Sequence, residues 1–136
     1  MPRVFLDTGP LIYLAEGAPP RMNRVRDQLA QWIRADAFIG TSTLTLLELL
    51  VVPKRKQDVR AERKYRALLA AFLSEPTAAL DENAAALGAE YRAALNLRTP
   101  DAIQLATAVS RGYDVFYTNN RRLQRCGDIE ILLVEP

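Results

Sequence analysis

The sequence predicts an α/β fold: a three-layer sandwich whose mainly parallel, five-stranded sheet is flanked by helices. Two observations lead to this prediction. Apolar runs of three to six residues alternate with longer segments of helical periodicity. Polar, turn-forming residues follow several of these runs, as expected where a strand gives way to a crossover helix. At 136 residues the chain is long enough for one core, so we expect a single domain over residues 1–136.

The first third of the chain contains two predicted strands and two predicted helices. The apolar run at 4–6 ends in the turn sequence Asp-Thr-Gly-Pro, and a short helix at 11–16 follows before a Pro-Pro pair breaks it. Apolar residues then recur at helical spacing over 21–34. The second strand is predicted at 37–40.

The middle of the chain is predicted to be mostly helical. Thr41, Ser42 and Thr43 offer caps for a helix through Val52, which Pro53 ends or bends. The remaining predicted helices cover 57–75, 84–95 and 99–111, the last with Thr99 at the N-cap, Pro100 at the first helical position and Gly112 as the stop signal. The remaining predicted strands lie at 77–80, which is alanine-rich and weak, and at 115–117 and 129–134.

Composition excludes several classes of chemistry. The chain has no histidine, which rules out Ser-His-Asp and Cys-His mechanisms and histidine-bound zinc. Its single cysteine cannot form an internal disulfide, which fits a reducing cytoplasm. No apolar run approaches the roughly 20 residues of a membrane span, so we expect no membrane partner and a cytoplasmic location.

Positive charge is clustered although the net charge is only +2. Residues 54–66 contain seven basic side chains against two acids, and a second cluster is formed by Arg121, Arg122 and Arg125. Such clusters can contact phosphates, but each can equally be the solvated face of a helix.

Acidic and polar residues stand where the predicted fold brings distant segments together. The set consists of Asp7 after the first strand, Glu48 within an apolar helix, Asp101 at a helix start, and the triplet Thr118-Asn119-Asn120 after a later strand. Each has a structural explanation as well, as a turn residue, a helix cap or a favourable charge near a helix dipole. In a parallel sheet these positions share the carboxyl edge. Carboxylates gathered there repel one another and need a hard divalent cation such as Mg²⁺ or Mn²⁺.

Four segments carry a resemblance to a known family. They are Phe5-Leu6-Asp7-Thr8, Thr41-Ser42 with Glu48, Leu97 to Ala102, and Tyr117 to Leu123. In order and spacing the chain resembles the PIN-domain nucleases, and more narrowly the VapC-type toxins of toxin–antitoxin pairs. The resemblance implies a divalent-metal-dependent endoribonuclease, a cognate antitoxin and a homodimer. The family's usual fourth acid is replaced here by Asn120, which adds no charge.

The resemblance also implies roles for individual residues. Asp7 and Asp101 would bind the cation directly, and Glu48 would bind it directly, bind it through water or orient the attacking water. The expected contacts behind these acids, or with the RNA substrate, come from Thr8, Thr118, Asn120, Arg98, Arg121 and Arg122. Two rival interpretations stay open at this point: a PIN-like module that binds RNA or protein without cutting, favoured by Asn120, and an unrelated phosphotransfer domain, which fits poorly because position 9 is glycine.

Overall fold

A computed structural model describes residues 1–136, with four parallel strands at its centre. The strands are β1 (Arg3–Leu6), β2 (Phe38–Gly40), β3 (Val115–Thr118) and β4 (Glu130–Leu133), and their order in the sheet is β2-β1-β3-β4. The α-helices are α1 (Thr8–Glu16), α2 (Pro19–Arg34), α3 (Thr43–Arg55), α4 (Val59–Phe72), α5 (Glu82–Leu95) and α6 (Thr99–Ser110), and a 3₁₀ helix covers Arg121–Arg125. No helix is both long enough and apolar enough to cross a membrane.

The prediction of five strands is wrong, because residues 77–80 do not form a strand. Ala78 makes a single isolated parallel bridge with Ser42. Its backbone N–H donates to the Thr41 carbonyl and its carbonyl accepts from the Thr43 N–H, and no ladder continues beyond these two bonds. Alanine gives little side-chain packing on a pleated surface, so this segment follows the sheet edge without extending it.

Two cores cover the two faces of the sheet, as the layered architecture requires. On one face Val4 and Leu6 of β1 pack with residues of α2, α3 and α4. On the other face Phe5 stacks on Phe116 of β3, with ring centroids 5.2 Å apart, and packs with residues of α5 and α6. Alternate residues of one strand therefore serve opposite layers, which explains why the strands read as continuous apolar runs.

Several helix boundaries differ from the sequence-based expectation, including those of α2, α4 and α5, which begin at Pro19, Val59 and Glu82. The first helix begins at Thr8 and not at 11, because Asp7 caps it. Pro53 does not end α3, which continues to Arg55. Arg98, and not Thr99, is the N-cap residue of α6, and it makes no side-chain capping bond.

The strand order places a topological switch point beside β1. The chain leaves β1 towards β2 on one side and later returns to β3 on the other side. The Asp7 N–H donates to the Tyr117 carbonyl at 3.0 Å, which ties together the carboxyl ends of β1 and β3. In open parallel sheets such a crevice is where ligands bind.

Candidate active site

Asp7 lies at the switch point with both of its carboxylate oxygens held. Oδ1 accepts from the Thr8 backbone N–H at 2.9 Å, and Oδ2 accepts from the Thr118 hydroxyl at 2.7 Å. The pKa of Asp7 is raised to about 6 despite these two bonds, mainly by burial and to a smaller extent by the charges of Asp101 and Glu48. The two smaller contributions to this pKa come from acids on α3 and α6, which lie at the same edge as Asp7.

Glu48 reaches the same edge from α3, with Thr8 as its link to Asp7. The Thr8 hydroxyl donates to Glu48 Oε1 at 2.6 Å, while the other carboxylate oxygen makes no hydrogen bond within the protein. Ser42 caps α3 by accepting from the Thr45 N–H at 3.3 Å. The helix therefore starts before Thr45, and Glu48 is not part of a capping box with Thr45.

Asp101 lies in the first turn of α6 and faces Asn120 from the loop after β3. Asn120 Nδ2 donates to Asp101 Oδ2 at 3.4 Å, and the second oxygen of Asp101 makes no hydrogen bond within the protein. The Asn120 backbone N–H donates to the Thr118 hydroxyl oxygen at 3.0 Å, and that hydroxyl donates to Asp7. A continuous polar chain thus connects Asp101 to Asp7.

The orientation of the Asn120 amide follows from its neighbours. Its Oδ1 accepts from the Arg122 backbone N–H at 3.1 Å and caps the 3₁₀ helix. A backbone N–H can only donate and a carboxylate can only accept, so the amide nitrogen must face Asp101. Asn120 therefore presents a hydrogen-bond donor, and not a ligand oxygen, towards the acidic cluster.

A buried polar network lies behind the acids, and most of its members are not predicted by any pattern in the sequence. Gln104, 2% exposed, bonds to Ser42 and Thr45 of the α3 N-terminus. The Thr41 hydroxyl lies 2.8 Å from the Thr45 hydroxyl and donates to the Leu6 carbonyl at 2.7 Å. A polar residue among the apolar residues of α6, one helical turn after Asp101, is the signal that could have identified Gln104.

The three arginines named from the sequence have different environments. All three are exposed. The Arg121 guanidinium donates to the Glu135 carbonyl at 3.3 Å, whereas those of Arg98 and Arg122 make no hydrogen bond or ion pair within the protein. Arg98 immediately precedes α6, and Arg122 follows Asn120 by two residues. Two positive charges next to the site are therefore free to meet a ligand.

Within the basic segment 54–66, several side chains are engaged by the protein itself. Lys54 and Arg66 both pair with Glu62, at 2.8 Å and 3.2 Å, and Lys64 donates to the Ala15 carbonyl at 2.9 Å. Hydrogen bonds from both partners lower the pKa of Glu62. For these residues the environment matches that of a solvated helix face.

The carboxylates lie on one edge without forming a closed cage. None of the cavities of the protein is lined by Asp7, Glu48 or Asp101. No three acidic or cysteine side chains are spaced closely enough to hold a metal ion as they stand. The donor set nevertheless suits a hard divalent cation chemically, since every available donor is an oxygen and the acids repel one another.

This combination of fold and site agrees with a comparison against protein families. The chain matches the model of the PIN domain over residues 4–129, and it therefore belongs to the PIN domain family. No curated protein matches the chain by sequence.

Several solved structures share the fold along almost the whole chain. A VapBC2 complex from Rickettsia felis bound to a promoter DNA fragment gives a TM-score of 0.78 at 15% identity, over 96% of this chain and 97% of that chain. A toxin–antitoxin complex from Klebsiella pneumoniae gives 0.76 at 23% identity, over 96% and 97%. VapBC-1 from nontypeable Haemophilus influenzae gives 0.73 at 19% identity, over 98% of both chains.

Proposed function

We propose that this protein is a single PIN nuclease domain over residues 1–136 that hydrolyses RNA phosphodiester bonds with the help of a divalent cation, and that it is the toxin of a toxin–antitoxin pair. The observation that carries the proposal is the approach of Asp7, Glu48 and Asp101 at the switch point of the sheet. Thr8 links Glu48 to Asp7 through its hydroxyl and its backbone N–H, and Thr118 with Asn120 links Asp101 to Asp7. Burial is the main cause of the raised pKa of Asp7, and the charges of the other two acids add to it. Membership of the PIN domain family supports the proposal further, because the resemblance to PIN-domain nucleases implies a nuclease activity.

The residues themselves have distinct tasks in this proposal. Asp7, held on both oxygens, is the fixed acid, while Glu48 and Asp101 each keep an oxygen free of hydrogen bonds and can rotate towards a common point. Thr8 and Thr118 set the orientation of Glu48 and Asp7 through their hydroxyls. When bound, Mg²⁺ or Mn²⁺ would activate water and neutralise charge on the phosphate.

Substrate binding is assigned to the open edge and its arginines. A site that lies outside every cavity suits a polymer that passes across it better than a small molecule that must be enclosed. Arg98 and Arg122 present free guanidinium groups that match phosphate oxygens in a bidentate manner, and Arg121 can add a third contact after leaving the Glu135 carbonyl. These contacts would position the RNA backbone without reading its sequence.

The proposal is tested by Asp7→Asn and Asp101→Asn, each assayed for Mg²⁺-dependent cleavage of RNA. We expect each change to lower the cleavage rate by at least about 100-fold, since a carboxylate ligand is lost while the shape is kept. Asp27→Asn is the matched control, because that carboxylate is 73% exposed on α2 and makes only a 3.5 Å contact with Arg26. Variants that fold and cleave RNA at the parent rate would refute the proposed mechanism.

A cognate antitoxin and a homodimer complete the proposal. Ile12 on α1 and Leu47 on α3 are 36% and 60% exposed, and these are the helices that carry Thr8 and Glu48 to the site. A protein partner that covers such apolar side chains would also restrict access to the acids. Co-expression with the neighbouring open reading frame, followed by light scattering of the free and bound protein, tests both interactions.

The orientation of Asn120 favours one other function, a PIN domain that binds RNA without cutting it. With its amide nitrogen facing Asp101, this residue cannot help to hold a cation. The two functions are separated by measuring RNA binding and RNA cleavage in the same Mg²⁺ titration. Binding without cleavage at any Mg²⁺ concentration would select the second function.

A further inference from the structure

We infer that Gln104 is a positioning residue that sets the spacing between the helix carrying Glu48 and the helix carrying Asp101. The inference rests on the proposed nuclease function, since it concerns the same acidic site. Gln104 is three residues after Asp101 on α6 and, at 2% exposed, cannot contact substrate. Its effect must therefore act through the residues to which it is bonded.

Both polar atoms of the Gln104 amide are hydrogen-bonded to residues at the start of α3. Nε2 donates to the Thr45 hydroxyl oxygen at 2.7 Å, and Oε1 accepts from the Ser42 hydroxyl. Ser42 already accepts from the Thr45 N–H, so its single hydrogen is available for Gln104. These are the only hydrogen bonds between α6 and α3 with its N-cap residue.

The same bonds continue to the end of β1. The Leu6 carbonyl can only accept, so it takes the hydrogen of Thr41, and Thr45 must then donate to Thr41 across their 2.8 Å contact. Thr45 thus accepts from Gln104 on one side and donates towards β1 on the other. Because Asp7 follows Leu6 directly, one buried chain connects the elements that carry all three acids.

A buried amide is costly in a core unless its polar atoms are hydrogen-bonded, and Gln104 meets this condition with one bond at its oxygen and one at its nitrogen. Thr107, one turn further along the same helix, does not: its hydroxyl is buried and has no partner. The two residues therefore form a natural pair for comparison. Both are buried polar residues of α6, but only Gln104 is connected to the site.

The test compares Gln104→Met with Thr107→Val. Methionine keeps the approximate volume of glutamine and removes both hydrogen bonds, whereas valine keeps the shape of threonine and removes a hydroxyl that bonds to nothing. We expect Gln104→Met to weaken Mn²⁺ binding, measured by calorimetry, by about tenfold and to lower kcat for RNA cleavage by about tenfold with KM within twofold. Thr107→Val should leave the Mn²⁺ affinity and kcat unchanged.

Thr45→Val carries the same test should Gln104→Met fail to fold, because it removes the oxygen that accepts from Gln104 and keeps the side-chain shape. Unchanged Mn²⁺ affinity and kcat in a folded Gln104→Met or Thr45→Val protein overturns the inference. So does a loss in Thr107→Val as large as that in the other variants, since a general packing effect would then explain both. A parent protein that binds Mn²⁺ but does not cleave RNA refutes the proposed function and leaves the Mn²⁺ comparison to decide the role of Gln104.

Discussion

Replacing Asp7 by asparagine should make the metal-free protein more stable. Burial raises the pKa of Asp7 from 3.8 to about 6, so at neutral pH the folded protein holds an ionised carboxylate that its environment disfavours. Asparagine has the same shape and no charge. The variant therefore keeps the packing and removes the electrostatic penalty.

The magnitude follows from the pKa difference between the folded and unfolded states. A pKa difference of about two units corresponds to a cost of up to about 3 kcal/mol for ionising Asp7 in the folded state, at 1.36 kcal/mol per unit. Asp7 keeps partial contact with solvent, and asparagine fits its two hydrogen bonds less well, so we expect a net gain of roughly 1–2 kcal/mol. For a chain of 136 residues this raises Tm by roughly 3–6 °C.

The sign of this stability change can be checked by measuring the unfolding free energy at several pH values. Below pH 3.8 Asp7 is protonated in both states and the penalty is absent; between 3.8 and about 6 the folded state binds more protons, so the stability of the parent falls as pH rises. Above about pH 6 the penalty is complete and constant. The difference in unfolding free energy between Asp7→Asn and the parent should therefore be small near pH 4 and reach its full value by pH 7.

The assay is chemical denaturation of both proteins in buffer with EDTA, at several pH values between 4 and 8. Adding Mg²⁺ should stabilise the parent and have little effect on the variant, because the cation offsets the cost of the ionised Asp7 carboxylate that the substitution removes. Asp27→Asn should change nothing in either condition. An Asp7→Asn protein that is no more stable than the parent at pH 7 in EDTA would show that Asp7 is not held at an energetic cost.

Two other substitutions have definite expected outcomes. Asn120→Asp places a second carboxylate beside Asp101, and we expect the Mg²⁺ concentration for half-maximal RNA cleavage to fall by about tenfold, measured by titration. Gly40→Ala should lower the unfolding free energy by about 1–3 kcal/mol in urea denaturation, since the new Cβ would lie 1.7 Å from the Tyr113 hydroxyl oxygen.

Each of these two changes has a matched control in the chain. Gln124→Glu adds the same charge to the exposed surface of the 3₁₀ helix and should not alter the Mg²⁺ requirement. Gly127→Ala adds a methyl group with nothing within 4 Å and should leave stability almost unchanged. An unaltered Mg²⁺ requirement in Asn120→Asp would place position 120 outside the influence of the cation, and a fully stable Gly40→Ala protein would contradict the close contact with Tyr113.

The layered architecture and the shared edge could be predicted because they depend on patterns within short segments. The apolar run at 4–6 and the one at 115–117 are strong strand signals, and parallel topology brings their ends together without further information. The run at 77–80 has no comparable signal. Whether such a segment pairs along its length depends on the neighbouring strand as well as on its own composition. The sequence-based prediction therefore counted one strand too many.

The finer features of the site depend on contacts between distant residues. Gln104 meets Ser42 and Thr45 across about 60 positions of the chain, and no local pattern encodes this distance. The direction of the Asn120 amide is set by a local bond to the Arg122 N–H, but the donor points at an acid only because the fold brings Asp101 opposite it. From the sequence an asparagine in this place could be either a weak ligand or a donor, and only the fold distinguishes the two.

The contact between the carboxyl ends of β1 and β3 has a consequence for synthesis of the protein on the ribosome. The partners of Asp7, Tyr117 and Thr118, are made more than 100 residues after it. While these residues are still inside the ribosome, Asp7 lacks its hydrogen bonds to β3 and the sheet edge is incomplete. The bonds that hold Asp7 at the sheet edge therefore form only after residue 118 has left the ribosome, and a chain that stops before β3 lacks both of them.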